Sequence, residues 1–222
     1  MHSFYNSFYK SVRKVTGLGK HFLHEPYFSQ EEIKFVTRTI KDKFVSSAGK
    51  DTKKFEQEII NFTKSKYCIA TTSGTAAIQI ALLASDVKPN DEVLVPALTF
   101  VGTANAVSHC GAIPHFVDSN IDNFGLDVDK LENYLKKNFI IKKKYLINKK
   151  TKRKVKAIIP VHIFGHACSI EAINNLAKSY NLKVVEDAAE GVGSFHNNKH
   201  LGTFSSFGCF SFIHTHKFFY RK

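Results

Sequence analysis

Apolar positions along this chain recur in two alternating rhythms. In "SQEEIKFVTRTIKDKF", Ile33, Val36, Ile40 and Phe44 fall on one face at helical spacing. Ser29 and Glu32 stand before them at capping-box spacing. "YCIATT" is a short apolar run and reads as a strand, and "SGTAAIQIALLA" opens a helix whose small residues permit close packing. Strand-like "DEVLVPALTF", short helical "TANAVSHC", strand-like "IPHFVD" and amphipathic "DVDKLENYLKK" follow. "VKAIIPVHIFG" and "LKVVEDAA" read as strands, with the helix "SIEAINNLAKSYN" between them and Ser169 as its cap. "CFSF", Cys209 to Phe212, reads as a last buried strand. Continuous apolar strands between helices predict an α/β fold with a mostly parallel sheet and helices on both faces. Ligands of such sheets bind at the carboxyl ends of the strands, so chemistry is sought just after each strand.

Composition narrows this picture. A chain of 222 residues, 43% hydrophobic, suffices for one sizeable core. No apolar run is long enough to span a bilayer as a helix. The N-terminal stretch to about Lys20 lacks an apolar h-region, which argues against a signal peptide, and reads as an arm or surface helix. The four cysteines, Cys68, Cys110, Cys168 and Cys209, are scattered in apolar segments and read as reduced thiols of a cytoplasmic protein.

The net charge of +13 is local. Lys136 to Lys156 holds 11 Lys or Arg and no acid, and setting those aside leaves a charge of only two. A solvated helix end and hairpin is the plain reading, and a polyanion patch the alternative. Neither a nucleic-acid nor a membrane partner is expected.

Several strand ends carry candidate chemistry. In "TTSGTAA", Gly74 permits a tight turn, and the first N–H groups of the following helix, with Ser73 and Thr75, suit a phosphate. An ordinary S/T helix cap explains the same residues. Phe100 ends a strand where an aromatic could stack on a flat ring, although a core position is the plainer reading. Asp187 ends an apolar strand, where a carboxylate is costly without a partner such as a protonated ring nitrogen. Its neighbour Glu186 points to the other face, toward solvent or a backbone donor. Ser211 stands out of pattern between two phenylalanines, and Lys217 follows. Phosphate cradle, stacking ring, carboxylate and amine together are what pyridoxal phosphate requires. A G-x-G-x-x-G dinucleotide loop is absent. His162, His166 and Cys168, or His214 and His216, are too loosely spaced for a metal site, and none is expected.

At this point the chain resembles the DegT/DnrJ/EryC1/StrS family of nucleotide-sugar aminotransferases. The resemblance rests on "SGTAA", "DEVLVPALTFVGTANAV", "GAIPHFVD", "VKAIIPVHIFGH", "VVEDAAEGVGS" and "LGTFSSFGCFSF". "LHEP", "SSAGK" and "INKKTKRKVKAIIPVHIFGH" are similar to the branch serving legionaminic-acid or bacillosamine-type glycans. It implies the large domain of a fold type I pyridoxal-phosphate transferase over 29–217, with an N-terminal arm or helix over 1–28 and a basic hairpin over 136–156. Ser73, Gly74, Thr75, Ala76 and Ser211 are then implied around the phosphate. Phe100 is implied on the ring, Asp187 at its nitrogen, Glu190 nearby, and Lys217 as catalytic lysine. The implied reaction moves an amino group from glutamate to a 4-keto-6-deoxy nucleotide sugar, in a homodimer.

The tail departs from the family. Lys217 stands one residue later than F-S-F-x-x-x-K requires, and "FFYRK" replaces the family's continuation. A small C-terminal domain is expected to be missing, with 218–222 an aberrant tail from truncation, for which a frameshift is the hypothesis. Two alternatives follow: a non-catalytic remnant, or a sugar dehydratase of the same family that uses a histidine where the lysine stands, with His214 or His216 in place.

Overall fold

The computed structural model describes residues 2–19, 28–43 and 49–212. Lys217, the 218–222 tail, His214, His216 and Phe44 lie outside the described residues.

The described chain runs α1 (His2–Thr16), α2 (Gln30–Lys41), α3 (Lys50–Thr63), α4 (Gly74–Ala84), β1 (Glu92–Pro96), α5 (Val101–His109), β2 (Ile113–Val117), α6 (Val128–Asn138), β3 (Phe139–Lys142) and β4 (Tyr145–Asn148). It continues through β5 (Lys154–Ile158), a 3₁₀ turn (Ile163–Gly165), α7 (Ile170–Ser179), β6 (Lys183–Asp187), β7 (Phe195–His196), β8 (Lys199–His200) and β9 (Phe207–Cys209).

Five strands form a parallel array in the order β2-β1-β5-β6-β9. The antiparallel hairpin β3–β4 pairs with the start of β5, at Leu146↔Val155 and Ile147↔Lys154. β6 takes over at Ala157↔Lys183, further along β5. Between them the register of β1 against β5 slips by one residue, from Glu92↔Val155 to Val93↔Ala157. That bulge re-aims β5 where its neighbour changes.

Both faces are covered. α6 and α7 close one face through Leu131, Leu135, Ile170 and Ile173 against Leu94, Val155 and Ile158. α4 and α5 close the other through Ile78, Leu82, Ala106 and Val107 against Val93, Val95, Ala157 and Val185. The chain steps outward from β1 to β2 and then crosses back to β5, so the switch of direction lies between β1 and β5. The carboxyl ends there form the crevice where doubly wound sheets bind ligands.

Most expected elements form, and the exceptions have physical causes. Tyr67 to Thr72 is not a strand, because no described strand pairs with it. Ile69 is 77% exposed, and the Ala70 N–H donates to Glu56 Oε1 at 2.8 Å instead of to a ladder. The last strand is Phe207–Cys209 rather than Cys209–Phe212, because its partner β6 ends where Asp187 meets Cys209. Ser169 caps α7 by position without a side-chain bond to the helix; its hydroxyl accepts from Asn123 Nδ2. Glu186 does meet backbone donors but is fully buried, away from solvent.

The capping box of α2 is present, with the Ser29 and Glu32 side chains also bonded to each other. Asp51 at the start of α3 accepts from Arg38 at 2.7 Å and Thr39 at 3.0 Å, tying α3 to α2. The apolar face of α2, however, stays exposed at Ile33, Val36 and Ile40. The basic window folds as the end of α6, the β3–β4 hairpin and the start of β5, the hairpin turning at Lys143 and Lys144 with φ of 57° and 100°. Among the described residues, only Lys136 and Lys156 of that window have a carboxylate within ion-pair distance, at 2.7 and 3.2 Å. No described helix is long and apolar enough to cross a membrane.

Candidate active site at the carboxyl ends of the strands

Three chain segments converge at the switch point. The first is the N-terminus of α4, which Ser73 caps by accepting from the Ala76 N–H at 3.1 Å. Gly74 and Thr75 are the first two residues of the helix, so their N–H groups have no intrahelical acceptor and carry the positive end of its dipole. A β-carbon on Gly74 would stand 3.0 Å from Ser211 Cβ, so the absent side chain lets Ser211, two residues past β9, approach this turn.

The second segment is the start of α5, where Phe100 occupies the cap position and is 74% exposed. A β-carbon on Gly102 would meet Thr75 Oγ1 at 2.7 Å and Phe100 Cδ1 at 3.0 Å. Gly102 thus allows the two helix starts to lie side by side.

The third segment is the end of β6. Asp187 is 4% exposed, and its Oδ2 accepts from the Thr103 hydroxyl at 2.6 Å. Its Oδ1 accepts from the Ala189 N–H at 3.2 Å. Thr103 is joined to Thr99 by a 2.7 Å hydroxyl contact. Burial pushes the Asp187 carboxyl above its usual range; the bonds from Thr103 and Ala189 oppose this without cancelling it. Charge on Asp187 therefore lacks a full partner within the described chain, and a cation placed against it would supply one. Glu190 lies just beyond and accepts from the Phe164 N–H at 2.7 Å, holding the 3₁₀ turn.

Behind Asp187 lies a buried polar support. The Cys168 N–H donates to His162 Nδ1 at 3.3 Å, which leaves the ring proton on Nε2, 3.1 Å from Glu186 Oε2. Glu186 also accepts from the Gly202 N–H at 2.9 Å and the Ser205 N–H at 2.6 Å. His162 and Asp187 share a further backbone bond, from His162 N–H to Asp187 O at 3.0 Å. His162 is thus structural, and among the described residues no group of three potential ligands could hold a metal.

Ser73, Gly74, Thr75, Ala76, Phe100 and Asp187 lie on these converging segments, Ser211 beyond β9 lies against Gly74, and Glu190 stands at the margin. Sequence reasoning missed Thr103 and Thr99. The signal was a pair of threonines one helical turn apart in "TFVGT", at a helix start, where a hydroxyl can reach a strand end.

The mostly parallel sheet with helices on both faces matches the large domain of fold type I pyridoxal-phosphate aminotransferases. The family model for DegT/DnrJ/EryC1/StrS aminotransferases matches residues 26–221, and the chain belongs to that family. It is 35% identical over 191 residues to GDP-perosamine synthase of Escherichia coli O157:H7, covering 86% of this chain and 48% of that protein. It is 32% identical over 183 residues to dTDP-3-amino-3,6-dideoxy-alpha-D-galactopyranose transaminase of Aneurinibacillus thermoaerophilus, covering 82% and 46%. Among solved structures, NtdA from Bacillus subtilis with bound cofactor PMP aligns with a TM-score of 0.64 at 31% identity, over 84% of this chain and 40% of that one. A family aminotransferase from Brucella abortus aligns with a TM-score of 0.67 at 30% identity, over 75% and 42%. The chain spans about half the length of the curated relatives it matches.

Proposed function

We propose that residues 29–217 form the cofactor-binding part of a cytoplasmic enzyme that transfers an amino group, from glutamate, to a 4-keto-6-deoxy nucleotide sugar for surface-glycan synthesis. The observation that carries this reading is Asp187: a carboxylate buried at the end of β6, its pKa raised by burial, and bonded to Thr103 at the start of α5. "INKKTKRKVKAIIPVHIFGH" supports the legionaminic-acid or bacillosamine branch for the sugar. The functional form in this reading is a homodimer.

The residues present fit pyridoxal phosphate. Gly74 and Thr75 would offer backbone N–H groups and the helix dipole to the phosphate, with Ser73, Ala76 and Ser211 shaping the cradle. The exposed Phe100 ring would lie against the flat cofactor. Asp187 would face the ring nitrogen and hold its proton, while Thr103 fixes the carboxylate's orientation. When bound, the cofactor supplies an electron sink that makes the substrate carbon acidic. Lys217 would be the amine that holds the cofactor and moves a proton to and from that carbon. Glu190 supports the turn at the mouth of the site.

Incubation of the 222-residue chain with pyridoxal phosphate, borohydride reduction and peptide mass spectrometry tests this reading. A single pyridoxyl adduct on Lys217 is the expected outcome. Folded, soluble chain with no specific adduct would overturn the role of Lys217 and favour a non-catalytic remnant.

A further inference from the structure

Helix α1 precedes the family-matched residues, and the candidate site uses none of it. Its sequence, "HSFYNSFYKSVRKVT", separates two faces. Phe4, Phe8 and Val12 follow at i, i+4 and i+8, with Tyr5 and Val15 on the same stripe. Lys10, Arg13 and Lys14 fall on the opposite side, and no acidic residue precedes Glu25. The stripe stays open in the structure: Phe4 is 70% exposed, Phe8 61% and Val15 87%. The Phe4 and Phe8 rings stack 6.4 Å apart, presenting one continuous apolar ridge. Arg13 folds over Tyr9, with its carbon 5.1 Å from the ring centre and Nε donating to the hydroxyl at 2.9 Å.

We infer that α1 is an interfacial helix that docks on an anionic membrane surface. Aromatic residues on one side, and on the other cations with no carboxylate partner among the described residues, suit the boundary between acyl chains and acidic headgroups. The helix is too short and too polar to span a bilayer, so it would lie in the interface. The expectation of a chain with no membrane partner rested on the absence of a spanning segment and does not bear on such a helix. Cations at 10, 13 and 14 complement an anionic surface, which a second copy's N-terminal stretch, with no acid before Glu25, does not offer.

Flotation of the 222-residue chain with lipid vesicles tests the inference. The chain should float with vesicles containing about 30% phosphatidylserine and not with phosphatidylcholine alone. Binding should weaken as salt rises from about 50 to about 300 mM. Phe4→Ser with Phe8→Ser, and separately Lys10→Gln with Arg13→Gln and Lys14→Gln, should each lower partitioning at least about tenfold while thermal unfolding stays unchanged. Lys142→Gln with Lys143→Gln and Lys144→Gln, at the β3–β4 hairpin turn, should retain binding. Absence of flotation on anionic vesicles, equal flotation on neutral ones, or helix variants that bind like the parent would overturn the inference. So would loss of binding in the hairpin variant, or a phenylalanine variant that changes only oligomeric state.

Discussion

The Thr103 hydroxyl donates to Asp187 Oδ2 at 2.6 Å, joining two residues 84 positions apart and fixing the start of α5 to the end of β6. Thr103→Val keeps the shape but leaves a buried oxygen with one donor fewer. The expected loss is about 1–3 kcal/mol in urea unfolding. The variant should also bind pyridoxal phosphate more weakly, since its carboxylate is free to turn.

Asp187 makes the cofactor-free chain sensitive to pH. Its folded pKa is raised above the ordinary value of 3.8, so the fold binds its proton more tightly than the unfolded chain does. The stability this group contributes is present below 3.8 and declines as pH rises through the raised folded value. Asp187→Asn, which never ionises, should remove that decline. At neutral pH the cofactor-free variant should therefore melt no lower than the parent, while its affinity for pyridoxal phosphate falls. A cofactor-free variant that melts well below the parent would contradict the assigned electrostatics.

Much of this architecture was legible from periodicity, and the failures are local. β1, β5 and β6 are built around buried apolar residues, among them Val93, Leu94, Ala157, Ile158, Val184 and Val185, and a buried parallel strand has little other way to read; β2 buries fully only Val117. Tyr67 to Thr72 has the same composition but no described neighbour to complete a ladder, which the run itself does not reveal. The shift of β9 to Phe207–Cys209 follows from where its partner stops, a long-range fact. Asp187 was found because a carboxylate ending an apolar strand is costly. Thr103 was passed over because a helix-start threonine is common; only its distance to Asp187 sets it apart.

Glu186 should be far more important to folding than its place beside Asp187 suggests. It accepts three bonds, from His162 and from the Gly202 and Ser205 N–H groups. Glu186→Gln turns one acceptor into a donor facing another donor. Destabilisation by about 3 kcal/mol is expected in thermal or urea unfolding.

Thiol reactivity should follow burial. Burial pushes the Cys168 thiol up to about 12, and pushes Cys209 up as well, with Glu186 adding to both and Asp187 to Cys209. At neutral pH a disulfide reagent should modify half-buried Cys68 first and leave Cys168 and Cys209 untouched until the chain unfolds. Early modification of Cys209 would place β9 outside the core.

The central claim is that the cluster around Asp187 holds pyridoxal phosphate, and the most direct test is a binding titration on the folded chain, followed by cofactor absorbance. Saturable binding to the parent is expected, with affinity about 100-fold weaker in Asp187→Ala, the scale of losing one buried charge partner. Binding of equal strength in parent and Asp187→Ala, or none to folded parent, would contradict the account.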